Sequence, residues 1–195
     1  MRRYFKYFLF VLKHKWYVFV ECFKEGIIWR GIIHDMSKFL PSEFFPYAKN
    51  FYNKDGTKKE KKRDKSGYYK PTDTGNKDFD FAFVLHQKRN RHHWQWWIIP
   101  DDNQKVKILD IPIKYVKEMV CDWRGASKTH GTSTGTVKNW YQKNENKITL
   151  HKNVKIMIKC HLLKISLDSN YLAEDMEYFK NQITKATRIP KGYLK

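Results

Sequence analysis

The chain has 195 residues, 41% of them apolar and 16% aromatic, so it can enclose a sizeable core and is not a disordered segment despite 30% charged residues. Its net charge of +19 invites a polyanion, yet it comes from 31 Lys against only 8 Arg. That balance describes a solvated lysine surface better than a reader of phosphates and bases, where arginine usually leads. Cys22, Cys121 and Cys160 lie in apolar stretches and form no disulfide framework, which fits a reducing compartment.

Met1-Arg2-Arg3 before an apolar run resembles the start of a signal peptide. The run from Tyr4 to Leu12 contains Lys6, is followed by Lys13-His14-Lys15 and has no small-residue cleavage site. No stretch approaches the roughly 18 apolar residues of a membrane span. A cytoplasmic protein with no membrane partner is expected.

Two apolar registers run along the first segment. Phe5, Phe8, Leu9, Leu12, Trp16, Phe19, Val20 and Phe23 form one; Tyr4, Tyr7, Val11, His14, Val18 and Cys22 form the other. Together they predict a long helix with a wide buried face that includes His14. After Gly26, Ile27 to Phe39 reads as a second helix carrying His34-Asp35 near its end. Leu40-Pro41-Ser42-Glu43 should stop it, with Ser42 capping a short turn through Phe45.

From Asn53 to Lys77, lysines alternate with acids and glycines, which predicts a long, mobile, basic surface loop. Phe79 to Lys88 returns to a helix ending near His86, followed by Arg89-Asn90-Arg91-His92-His93-Trp94-Gln95-Trp96-Trp97 and a turn at Pro100 to Asn103. Pro112 suits the first turn of a helix reaching about Trp123, on which Tyr115, Glu118 and Asp122 share a face. Gly125 to Gly135 reads as a Ser/Thr/Gly-rich loop. Helices are expected at about Val137–Asn146, Leu150–Leu167 and Asn170–Ala186. No strand alternates convincingly and no repeat is present, so the expected class is all-α. The chain reads as one domain, with a core over about 4–127 and a C-terminal helical extension over about 136–187.

His14, His34, Asp35, His86, His92, His93 and Asp122 form an ordered series of imidazoles and carboxylates, the ligand types of a borderline or hard divalent ion. On an unbroken helix His93 would share the face of His86 about 10.5 Å further on, too far for one ion and suited to the two ends of a dinuclear site. At most one of His92 and His93 would then point inward. If Asn90 breaks the helix, either one could.

The order His14, His34-Asp35, Asp122 resembles the H…HD…D signature of the HD-domain superfamily of metal-dependent phosphohydrolases, and His34-Asp35-Met36-Ser37-Lys38 resembles its HD-x-x-K core. With Phe39, Glu43-Phe44, Tyr47-Ala48, His86, Asn90, His92-His93-Trp94, Glu118-Met119 and Asp122-Trp123, the pattern is similar to a small uncharacterised HD-like family of bacteria and phages. It covers roughly residues 10 to 127. Ser37 stands where the generic motif often has glycine.

The resemblance implies a helical bundle in which His14, His34, Asp35 and Asp122 hold one ion and the further histidines, His86 and His92 or His93, serve a second. It also implies hydrolysis of phosphomonoesters, nucleotides or cyclic nucleotides. The cofactor expected is one or two divalent ions per chain (Mn, Zn, Fe, Co, Ni or Mg). Asp35 would ligate metal and orient water. Lys38, Arg89, Arg91 or Arg124 would meet a phosphate, and Trp94, Trp96, Trp97 or Trp123 would stack on a base. The plainer readings are a buried hydrogen-bonded His34-Asp35 pair, a Lys38–Glu43 salt bridge, tryptophans in the core, and structural or exposed His130, His151 and His161. Rival functions are a nucleic-acid-binding protein or nuclease, a nucleotide-sequestering protein without turnover, and a di-iron oxygenase. Homo-oligomerisation is compatible with all of them.

Overall fold

The structure, a computed structural model, describes residues 1–61, 64–65, 68–69, 71, 74–103, 105–131, 137–159 and 163. Seven α-helices carry these residues: α1 Arg2–Lys24, α2 Ile28–Ile33, α3 Pro41–Phe51, α4 Lys77–Arg89, α5 Ile113–His130, α6 Val137–Asn144 and α7 Lys152–Met157. An antiparallel hairpin of β1 Ile98–Pro100 and β2 Val106–Ile108 joins them, with Ile98 opposite Ile108. The class is all-α. The hairpin escaped the sequence reading because three-residue strands are too short for alternation to register.

Helix α1 is the axis of the bundle, packing on α5, α2 and α3, while α3 also packs on α4. Its inner register is the one with Tyr7, Val11, His14, Val18 and Cys22, all buried. The aromatic half of α1 meets α3 and α4 around Tyr47, Ala48, Phe79 and Ala82. Further along, Val18 and Cys22 meet Cys121 of α5. His14 lies between these two clusters. The second apolar register corrects the expectation of one wide buried face, since Phe5, Phe8, Leu9, Leu12, Trp16 and Phe23 are exposed. A third cluster joins α5, α6 and α7 through Val116, Val120, Tyr141, Val154 and Ile156, so the described C-terminal residues pack on the core.

The expected second helix is broken. α2 ends at Ile33, His34 leaves it with extended ψ, Asp35 is left-handed (φ 52°, ψ 26°), and Met36–Phe39 is a 3-10 turn. Lys15 donates to the carbonyls of His34 and of Ile32, the latter at 3.2 Å, at the end where helix carbonyls lack partners. Pro41 opens α3 as a first-turn residue, so Ser42 lies inside a helix of 11 residues and is not a cap.

The loop after α3 is less free than expected. Lys61 Nζ lies 3.1 Å from the centre of the Phe51 ring, and Tyr68 stacks on Trp140 at 6.2 Å. Asn76 caps α4 by accepting from Phe79 N. Helix α5 runs on through Gly125 to His130 and stops at left-handed Gly131. The sequence read a loop there, but Gly125 is a close-approach position: a Cβ on it would fall 2.5 Å from Val18 Cγ2. The expected helix at Asn170–Ala186 lies outside the described residues, as does the later part of the one expected to reach Leu167.

Candidate metal centre

Asp35 is the geometric middle of the site. It is 1% exposed, and its left-handed backbone is unique among the described non-glycine residues. That conformation costs about 1 kcal/mol or more for an L-residue and points both carboxylate oxygens away from α2 into the bundle.

Each oxygen faces its own set of groups. Toward Oδ2 lie His14 Nε2 at 3.8 Å and His34 Nε2 at 3.5 Å. Asp122 Oδ1 closes that set, 3.0 Å from His14 Nε2 and 3.5 Å from His34 Nε2. Toward Oδ1 lie His86 Nε2 at 3.5 Å and His92 Nε2 at 3.4 Å. His93 Nε2 completes the second set, 2.9 Å from His86 Nε2. In each set the ligand atoms lie within 4.8 Å of one another.

These separations suit coordination. Two donors about 2.1 Å from one ion lie about 3.0 Å apart at a right angle and about 3.4 Å apart at the tetrahedral angle. His14 Nε2, His34 Nε2, His92 Nε2 and Asp35 Oδ1 are sealed from solvent and make no hydrogen bond of proper geometry, while the equally buried Asp35 Oδ2 meets the Lys38 ammonium. Orphaned polar atoms are costly in a protein interior, and ligation by a cation satisfies them. These buried His and Asp groups could hold metal.

Buried carboxylates behind the histidines fix the rings. Glu118 Oε1 lies 3.1 Å from His34 Nδ1 and 3.3 Å from His92 Nδ1, tying together one imidazole from each set. Glu43 Oε2 lies 2.9 Å from His86 Nδ1 and accepts from Ser37 Oγ at 2.9 Å. Each carboxylate is anchored by an arginine: Arg30 Nε donates to Glu118 at 2.6 Å, and Arg89 to Glu43 at 2.8 Å. A carboxylate on Nδ1 directs the Nε2 lone pair inward, as it does behind metal-binding histidines generally.

The electrostatics follow from this layout. Burial alone would raise Asp35, but His34, Lys38, His86 and His92 hold it well below the usual carboxylate range. Burial likewise opposes ionisation of Asp122, which His14 and His34 keep low, and of Glu118, which His34 and His92 bring down to about 2. Burial lowers His14, His86 and His93, leaving neutral imidazoles at pH 7. His34 differs: burial would lower it, but Asp35, Asp122 and Glu118 raise it to about 10. A metal ion there would replace a proton.

All seven sequence-derived metal ligands therefore come together. Both His92 and His93 turn inward, and His86 and His93 face the same point, contrary to the 10.5 Å separation of an unbroken helix. The reason is Asn90, whose extended backbone ends α4 and whose side chain donates to His86 O at 2.8 Å and to Ser37 Oγ at 2.7 Å. Lys38 joins the site, but its Nζ meets Asp35 Oδ2 at 2.6 Å and not Glu43.

The three arginines are placed elsewhere. Arg89 is held by Glu43 and Ser42, Arg91 donates to Tyr115 Oη, and Arg124 meets Glu25 Oε1 at 2.7 Å. Trp94, Trp97 and Trp123 pack against the α5–α7 core, and Trp96 lies under Arg91. His130 packs by Phe10, His151 caps α7, and His161 lies outside the described residues. The supporting roles of Glu43, Glu118, Arg30 and Lys15 were not read from the sequence. Glu118 and Asp122, four residues apart on one face, were the available signal.

Fold and centre thus define an all-α protein built around a buried cluster of histidines and carboxylates able to hold metal. Residues 3–164 match a family of unknown function, DUF5662, and the chain belongs to that family. No curated protein and no solved structure matches it.

Proposed function

We propose that this protein is an HD-like, metal-dependent phosphohydrolase acting on a nucleotide or other small phosphate ester. The observation that carries the reading is the sharing of one carboxylate, Asp35, by two sets of buried ligands. A histidine-rich set without thiolate suits Mn, Fe, Co, Ni or Zn better than Mg, which prefers oxygen. When bound, such ions supply a water whose pKa falls toward roughly 7 and neutralise charge on a phosphoryl oxygen.

The chain's own groups complete the chemistry. Asp35, held ionised, spans both ligand sets and would orient a water supplied there for attack on phosphorus. Glu118 keeps His34 and His92 in the tautomer that presents Nε2 inward, and Glu43 does so for His86. Asp122 and His93 are the half-buried members of the two sets, so the substrate's phosphate enters on their side. Lys38, already at the Asp35 carboxylate, provides the ammonium for a phosphate oxygen. Arg89 and Arg124 are committed to glutamates and take no part in binding it.

The test is metal analysis of purified protein combined with a screen of phosphomonoesters and nucleotides. The double substitution His34→Ala/Asp35→Ala should abolish both metal retention and hydrolysis. Unchanged metal content in that variant would sink the reading.

A further inference from the structure

Helix α1 carries an apolar face that the described residues leave uncovered. Phe5, Phe8, Leu9, Leu12, Trp16 and Phe23 are exposed, Phe5 and Trp16 each at 62%. At 100° per residue they fall within an arc about 100° wide, opposite the buried face of Tyr7, Val11, His14 and Val18. The stripe does not end with the helix. Gly31 of α2 lies against Phe19 and Cys22 of α1, and α2 adds exposed Trp29 and Ile32. Phe39 of the 3-10 turn meets Phe8 at 6.0 Å, which brings exposed Met36 and Leu40 alongside. Contiguous apolar surface of this extent marks an interaction site.

The charge beside it identifies the occupant. Arg2, Lys6 and Lys13 fall on one flank of the stripe, and no acidic residue precedes Glu21. A second copy of the chain would bring another +19 charge to the contact, which opposes self-association through this face. An apolar ridge rich in Phe and Trp with a lysine and arginine flank matches an anionic bilayer surface. There the rings enter the headgroup boundary and the basic groups meet lipid phosphates. No helix of the described residues is long and apolar enough to cross a membrane, so the mode is surface attachment.

We infer that the outer face of α1, continued by α2 and the 3-10 turn, docks this protein on anionic lipid bilayers. The inference does not depend on the phosphohydrolase reading, because it uses no residue of the metal centre.

Co-sedimentation with vesicles tests it, using phosphatidylcholine alone against phosphatidylcholine mixed with phosphatidylglycerol. The full chain should bind the anionic vesicles and leave the neutral ones. Leu9→Ser/Trp16→Ser should weaken binding about tenfold or more, because two large side chains no longer leave water. Lys6→Gln/Lys13→Gln should weaken it and flatten its salt dependence. Metal content and melting temperature of both variants should match the parent.

Equal binding by the Leu9/Trp16 variant would overturn the inference, since lysine charge alone would then explain attachment. So would absence of binding to anionic vesicles, and a dimer in solution that this variant converts to monomer would then make a second copy the occupant. Absence of vesicle binding with capture of an acidic protein through this face would overturn it equally.

Discussion

At the scale of single residues, the centre depends on carboxylates that never face solvent. Glu118 holds His34 and His92, one imidazole from each ligand set, and is itself held by Arg30. Glu118→Gln keeps the shape but removes the charge that anchors both rings. Metal affinity should fall about 10- to 100-fold, as when other second-layer partners are lost, with the fold intact by circular dichroism. Unchanged affinity would show that the rings are fixed by packing alone.

His34 gives a prediction with a defined sign. Its imidazole is raised from an ordinary 6.5 to about 10, against burial, by Asp35, Asp122 and Glu118. In metal-free protein this protonated ring adds stability that is fully present below pH 6.5 and disappears as the pH rises through 10. Glu118, lowered from 4.5 to about 2, adds stability present above pH 4.5 and lost as the pH falls through 2. A metal ion held by His34 would have to displace that ring's proton. Apparent metal affinity should therefore rise about tenfold per pH unit between 6.5 and 10, measured by competition with a chelator. A flat profile over that window would contradict the assignment of His34 as a ligand.

At the scale of elements, the site exists because helices meet closely and break at set places. His14 and Asp122 come from α1 and α5, whose approach at Val18 leaves no room beside Gly125 for a Cβ. Gly125→Ala should cost about 1–3 kcal/mol by overpacking and push the two helices apart. A lowered melting temperature should accompany weaker metal binding. Loss of stability with unaltered affinity would show that the His14–Asp122 pairing tolerates the shift.

The inner register of α1 was legible because its aliphatic and histidine positions recur at helical spacing. Periodicity could not say which apolar register would be buried, since Phe5, Leu9, Leu12 and Trp16 carry the same signal and face outward. Nor could it locate the break at His34-Asp35. No glycine or proline marks that point, and the left-handed turn at Asp35 is sustained by a distant partner, Lys15 on the His34 carbonyl, together with the local Lys38 on the carboxylate. Gly125 misled in the opposite direction. In the sequence it begins a Ser/Thr/Gly-rich stretch, while in the fold it is small because Val18 is near.

At the scale of the whole molecule, the ordered ligand series was legible and its division into two sets was only partly so. His14, His34, Asp35 and Asp122 were expected together. The placing of both His92 and His93 on the second set required the helix to end at Asn90 and the chain to turn back, which sequence spacing left open. The +19 charge, spread over 31 lysines, identifies no partner by itself. It gains meaning where basic side chains flank the exposed stripe of α1.

Anomalous diffraction from crystals grown with Mn(II) tests most directly the proposal that Asp35 serves two metal sites. Two peaks about 3.5–4 Å apart are expected on either side of Asp35, one among His14, His34 and Asp122 and the other among His86, His92 and His93. Absence of both peaks, or a direct hydrogen bond between His86 and His93 with no ion beside it, would contradict a shared metal centre at Asp35.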